Sequence, residues 1–249
     1  MVEINMAKKG QITIFIILAI LIVSAILVFF LYVRPTFISS GNKLDFENCV
    51  QQTVEKSILK LEKNAGFVNS EFTYNYKSEE FTYLCYTNEY YKTCTIQQPF
   101  LKQHFQQQIE KDVTQEINLC YENSLQDLKD RGYSVTSGKL NYSILINPSV
   151  VNVNIQSPTT VGSNKFSRFN VQIASPLYEM LMISTVILQY ETFYGDADVD
   201  SIMSIYQDYY IEKIKRDDGT TIYILNSKSF ENKFQFASKS LTWPAGYVG

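Results

Sequence analysis

LKQHFQQQIEKDVTQEINLCY, from Leu101 to Tyr121, is the stretch from which the fold can be read. Leu101, Phe105, Ile109, Val113 and Ile117 recur every four residues, and the stripe continues through Cys120 or Tyr121. That period puts the apolar residues on one face and predicts a helix. It follows Pro99, runs on to Leu128 and ends at Gly132. Upstream, Phe46, Val50, Val54, Ile58 and Leu61 recur every three or four residues and predict a second amphipathic helix. Asp45 can cap its start, and Asn64-Ala65-Gly66 can stop it. Two such stripes should pack together. Cys49 would then face Cys120.

Between these helices lie Glu71–Tyr76 (EFTYNY) and Glu80–Thr87 (EFTYLCYT). Alternating aromatics and Thr predict a hairpin turned at Lys77-Ser78-Glu79. After Gly132 the period becomes two. Tyr133–Thr136, Lys139–Ile146, Val150–Gln156 and Phe166–Ala174 read as a strand meander with one wet face. Pro176 then opens LYEMLMISTVILQYETFY, an apolar helix for burial against the sheet or for self-association. A short helix is expected over Val199–Gln207. Arg216-Asp217-Asp218-Gly219 turns a hairpin between Tyr209–Lys215 and Thr220–Leu225, because Asp-Gly between alternating runs is a strong hairpin signal. Phe230–Ala237 adds a strand, and the tail with Trp243 and Pro244 is irregular.

The four cysteines, at 49, 85, 94 and 120, contain no CxxC spacing. Zinc-ribbon and thioredoxin-type sites are therefore not indicated. An even count in an exported segment reads as two disulfides, and four buried thiols in a cytosolic domain is the alternative. The expected pairs are Cys49–Cys120, which joins the two helices, and Cys85–Cys94, which closes a short loop among the aromatics.

Residues Ile12 to Val33 carry no charge, and Lys8, Lys9 and Arg34 flank them. About 20 apolar residues suffice to cross a bilayer. The expectation is a cytoplasmic N-terminus over 1–11, a transmembrane helix over 12–34 and a linker over 35–44. Outside the cell would follow a disulfide-bonded helical subdomain with aromatic strands over 45–131 and a β-rich subdomain over 132–249. The fold class is thus α+β with an N-terminal transmembrane helix. A net charge of -3 and 19% charged residues give no basic face for nucleic acid. The expected partners are the lipid bilayer and a protein, or a second copy, at the cell surface.

The inventory for chemistry is thin. His104 is the single histidine, expected at a solvated helix position, so neither a His-based zinc site nor a Ser-His-Asp arrangement is supplied. Asp196, Asp198 and Asp200 have the spacing that opens an EF-hand loop. Ser201 and Gln207 occupy the positions that need Gly and Glu. A loop whose last Asp caps the next helix accounts for them. No catalytic residue, cofactor site or metal site is expected, and the chain reads as no enzyme. Tyr74, Tyr76, Tyr83, Tyr86, Tyr90 and Tyr91 form an aromatic cluster that serves either as strand packing or as a recognition face, with Tyr83, Tyr86, Tyr90 and Tyr91 as the recognition candidates.

Lys8-Lys9-Gly10-Gln11-Ile12-Thr13, with the apolar run after it, resembles the class III signal of archaeal type IV pilins. The resemblance implies a processing site between Gly10 and Gln11. Pilins carry Glu five residues into the mature chain, where this sequence has Phe15. That departure removes the charge pair that sets subunit register, so a filament of this chain alone is not expected. The wider pattern is similar to single-pass envelope proteins of small, host-dependent (DPANN-type) archaea. It rests on Glu47-Asn48-Cys49-Val50, Asn118-Leu119-Cys120 and Phe234-Gln235-Phe236-Ala237. This likeness implies a cell-surface location and brings no activity. A structural or interaction protein of the envelope is the expected function, with a minor pilin-like or adhesin subunit as the alternative.

Overall fold

A computed structural model describes residues 17–24 and 46–242. The chain divides into two units, Met1–Phe46 and Glu47–Gly249. In the first, residues 17–24 are helical and exposed. Among the described residues no helix is long and apolar enough to cross a membrane. The fold class is corrected accordingly, to α+β with a sheet-rich, disulfide-bonded unit. Most of the 12–34 run, Gly10, Gln11, Phe15, Trp243 and Pro244 lie outside the described residues.

The second unit is built on the two expected amphipathic helices. Residues 46–63 form α1 and Leu101–Asp130 form α2. Val50, Val54, Ile58 and Leu61 of α1 are buried, as are Leu101, Phe105, Ile109, Val113 and Ile117 of α2. Each such side chain contributes roughly 1.5–3 kcal/mol by leaving water. The helices run antiparallel. Cys49 is bonded to Cys120, with Cα atoms 5.9 Å apart. One end further on, Ser57 Oγ donates to Asp112 Oδ2 at 2.8 Å and Lys60 Nζ pairs with Asp112 Oδ1 at 2.6 Å. Beyond α1 the chain turns at Gly66, whose N–H donates to Leu61 O at 2.7 Å with φ +92°. A Cβ there would stand 2.6 Å from Phe105 Cδ2, so the stop needs glycine for both backbone and space.

Two sheets complete the unit. The first has six strands, of which five follow the order β1-β2-β10-β9-β8. These are β1 (Thr73–Tyr76), β2 (Glu79–Tyr86), β8 (Tyr209–Lys215), β9 (Thr220–Ser227) and β10 (Lys233–Lys239), and β3 (Thr95–Ile96) pairs with β2. Lys77 and Ser78 turn the β1–β2 hairpin with φ of +49° and +67°, the left-handed pair that a two-residue turn requires. Strand β10 lies parallel to β2. That pairing puts the segments before and after residue 132 into one sheet.

The second sheet has four strands: β4 (Val135–Ser137), β5 (Asn141–Asn147), β6 (Val150–Val161) and β7 (Asn164–Ala174). Strand β6 pairs with the other three. Its register against β7 shifts between Gln156 and Thr159, where Pro158 has no N–H to give a ladder. Tyr121 of α2 enters this bulge. Its hydroxyl lies 2.5 Å from Ser157 Oγ and 2.6 Å from Thr159 Oγ1. Helix α2 also covers the edge of β5. Glu110 Oε1 accepts from Ile144 N at 2.8 Å, and Gln106 Oε1 accepts from Ile146 N at 3.3 Å. Those amides would otherwise be an open strand edge.

Helix α3 (Leu177–Tyr194) contacts β2, β3 and β10 of the first sheet, β5 and β6 of the second, and α2. This position accounts for the apolar residues on the sides it buries, while Met182, Tyr190, Phe193 and Tyr194 stay exposed. Gly195 ends it in the left-handed region at φ +72°. The short α4 (Val199–Ile205) lies against β8.

Non-reducing peptide mapping should recover Cys49–Cys120 and Cys85–Cys94. Replacing Cys49 and Cys120 together by Ser should lower the unfolding free energy by about 2–5 kcal/mol in a urea titration. A Cys49–Cys85 peptide would overturn this arrangement.

Candidate functional site

Side chains alternate across the first sheet. Tyr223 and Leu225 of β9, with Phe234 and Phe236 of β10, are fully buried toward the helices. The Phe234 ring lies 5.8 Å from Phe105 of α2, and the Tyr223 hydroxyl donates to Glu191 of α3. The opposite parity builds a second cluster of Phe81, Tyr83, Ile222, Ile224 and Ala237. Tyr74, Tyr76, Tyr86 and Ile214 pack over it, half-buried. The outer face of the sheet is therefore a layer of tyrosines.

Tyr83 is the centre of that layer. Its ring stands 4.9 Å from Phe72, 5.1 Å from Tyr86 and 6.2 Å from Tyr74. The Tyr83 hydroxyl bonds Thr220 Oγ1 at 2.9 Å. Burial pushes the phenol up to about 12, with Asp218 adding to the shift and the Thr220 bond opposing it. Cations ring the layer. Arg216 lies 5.0 Å and Lys77 5.2 Å from the Tyr76 ring centre, and Lys239 lies 6.0 Å from that of Tyr86. Such contacts are worth about 0.5–1 kcal/mol each while exposed. Lys239 is also paired with Asp218 at 3.7 Å, whereas Lys77 stands exposed at the rim.

The four tyrosines singled out from sequence do not form one surface. Tyr83 is buried and Tyr86 half-buried in the sheet, whereas Tyr90 and Tyr91 are 63% and 75% exposed in the loop after β2. Tyr74 and Tyr76, members of the same sequence cluster, do lie on the outer face, and Phe72 beside them was missed. The hairpin register, with Tyr74 opposite Phe81, is what brings the two tyrosines onto that face. Ile214, Arg216, Ile222 and Ile224 join the face only through the strand order.

Cys85 and Cys94 are buried and bonded, with Cα atoms 5.4 Å apart. His104 is not solvated as expected. The turn after α1 folds over the first turn of α2, and the ring packs on Phe67 at 4.4 Å. Burial lowers its pKa, and a bond to the Gly66 backbone opposes that. Asp196 pairs with Lys213 at 2.5 Å and Lys215 at 3.2 Å. Asp198, not the last Asp, caps α4, because its carboxylate reaches Ser201 N at 3.2 Å. Among the described residues no group of three or more His, Cys, Asp or Glu side chains is placed to hold a metal.

Two buried carboxyls were also missed. Glu62 of α1 is fully buried and takes Asn232 Nδ2 on both oxygens, at 2.8 and 2.9 Å. It thereby clamps the β9–β10 connection. Burial pushes it up to about 7, against the bonds from Asn232 and the Lys233 backbone. Glu191 is held by the Tyr223 hydroxyl and by Ser240 Oγ at 3.3 Å, and burial raises it as well. An acid among hydroxyls could do proton chemistry, but a carboxyl 1% exposed admits no substrate.

No protein family, curated protein or solved structure matches the chain.

The raised acids set a pH dependence. Folded Glu62 keeps its proton up to about 7, and the unfolded chain releases it near 4.5. Between those values the folded state binds more protons, so raising the pH favours unfolding. Stability should be greatest below the lower value and fall by about 2–3 kcal/mol through the upper one. Glu191 acts in the same direction. Urea midpoints across this window should show the loss, and Glu62→Gln should flatten the profile. Stability that rises with pH, or an unchanged slope in the variant, would refute the assignment.

Proposed function

We propose that this protein is an extracytoplasmic structural or interaction protein of an archaeal cell envelope. It is held at the cell surface through its N-terminal segment and acts by contact, not by turnover. The carrying observation is the tyrosine layer on the outer face of the first sheet, rimmed by Arg216, Lys77 and Lys239. Tyrosine supplies rigid contact area at small entropy cost, and half-buried rings over a filled core are already positioned. The occupant is a protein partner with apolar groups and carboxylates. Two disulfides support an oxidising location, since cytosolic thiols are kept reduced. The resemblance of the N-terminal and cysteine-bearing segments to archaeal envelope proteins supports the same place.

Protease added to intact cells should digest residues 46–242, and digestion only after lysis would overturn the location. In detergent-extracted full-length protein, Tyr74→Ala with Tyr76→Ala should weaken retention of the co-purifying partner by about tenfold or more, while the melting temperature stays within a few degrees. His104→Ala should leave retention intact. Loss of a measured activity in a folded His104→Ala protein would sink the contact reading.

A further inference from the structure

A cleft of about 340 Å³ opens between the start of α3, the α4–β8 turn and the β9–β10 loop. That volume falls in the range of small-molecule sites. Glu179, in the first turn of α3, reaches into it. Its Oε1 accepts from Ser149 N at 3.1 Å, whereas its Oε2 is buried and has no partner. A buried anionic oxygen is costly to leave unpaired. Asp208 brings a second carboxylate to the same lining, with the rings of Tyr206, Tyr209 and Phe230 as walls. Both acids act on the Tyr209 phenol, which burial first, then Glu179 and Asp208, push up to about 12. The neighbouring Lys228 directs its Nζ to Gln207 O at 2.6 Å.

We infer that this cleft is a binding site for an organic ammonium group, with Glu179 and Asp208 on the charge and the three rings around its alkyl stem. Aromatic faces attract cations, and carboxylates pair with ammonium groups. A divalent metal fits poorly. Calcium takes about six to eight oxygen ligands, and among the described residues no acidic group of that kind is assembled. The larger cleft of about 500 Å³ beside Asp196 and Asp198 makes a useful contrast. There Asp196 is already paired with Lys213 and Lys215, and Asp198 is engaged by Ser201. The Asp196 carboxylate thus already has two ammonium partners, whereas among the described residues Glu179 Oε2 has no cation or hydrogen-bond donor.

The test is a titration of ¹⁵N-labelled full-length protein in micelles with n-butylammonium chloride, against n-butanol and sodium chloride. Saturable amide shifts are expected at Ser149, Glu179 and Tyr209, with none from either control. Ser149 should move most, because its N–H shares the Glu179 carboxylate. Glu179→Gln should weaken binding by about tenfold or more. Asp208→Asn, on an exposed turn, should weaken it about threefold, and it carries the test if the first variant does not fold. Equal shifts from n-butanol, unchanged affinity in either folded variant, or the same saturable shifts from calcium would overturn the site. Nα-acetyl-lysine methylamide distinguishes the source. Tighter binding than n-butylammonium assigns the site to a partner's lysine, weaker binding assigns it to a free amine, and both sustain the ammonium site.

Discussion

Helix α3 has no polar side to give to water, and that constraint arranges what surrounds it. Leu177, Met180, Leu181, Ile183, Ile187 and Leu188 are all buried. One sheet can cover one side of a helix, so burying α3 takes both sheets and α2. Its polar exceptions are matched inside. Ser184 Oγ donates to Met180 O at 2.8 Å, and Glu191 takes hydroxyls from Tyr223 and Ser240. One stripe still meets water: Met182 and Tyr190 are 40% and 37% exposed, and Phe193 and Tyr194 at the far end 75% and 70%.

With the inner faces committed to α3 and α2, the first sheet still has an outer face rich in apolar residues. Tyrosine suits that place because one end of the ring packs and the other stays wet. Phe81 and Ile222 can therefore be almost fully buried beneath side chains that remain half-exposed. The same economy appears on α2. Its apolar stripe faces the core, while Gln106, Glu110 and Tyr121 beside that stripe reach strands of the second sheet. Those contacts fix the helix lengthwise, which a slippery apolar stripe does not.

The buried acids show how polar groups are admitted to this core. Glu62 and Glu191 meet amide and hydroxyl donors, and among the described residues neither is in an ion pair. A neutral carboxyl with hydrogen bonds is far cheaper to bury than a carboxylate. Glu179 lies differently, at the mouth of a cleft with one oxygen unanswered.

Local patterns were legible in the sequence. The stripes of α1 and α2, the apolar run of α3 and the Asp-Gly hairpin each announce themselves within a few residues, because a helix or tight hairpin is set by neighbours three, four or two positions away. Helix stripes even gave the Cys49–Cys120 bridge, since packing the two stripes together sets the cysteines on or beside them face to face. What the sequence could not determine was long-range. Nothing in Glu79–Tyr86 says that Lys233–Lys239 will lie parallel beside it, more than 140 residues later. That pairing decides which tyrosines are core and which are surface. Tyr83 and Tyr90 look alike in the chain, yet one is bonded to Thr220 inside the sheet and the other stands in solvent. Glu62, Glu179 and Glu191 look like ordinary helix acids, and only the elements packed against them set their solvation. Periodicity fixes which face of an element is apolar, whereas the identity of what covers that face belongs to the tertiary structure, because burial depends on neighbours that the chain brings from far away.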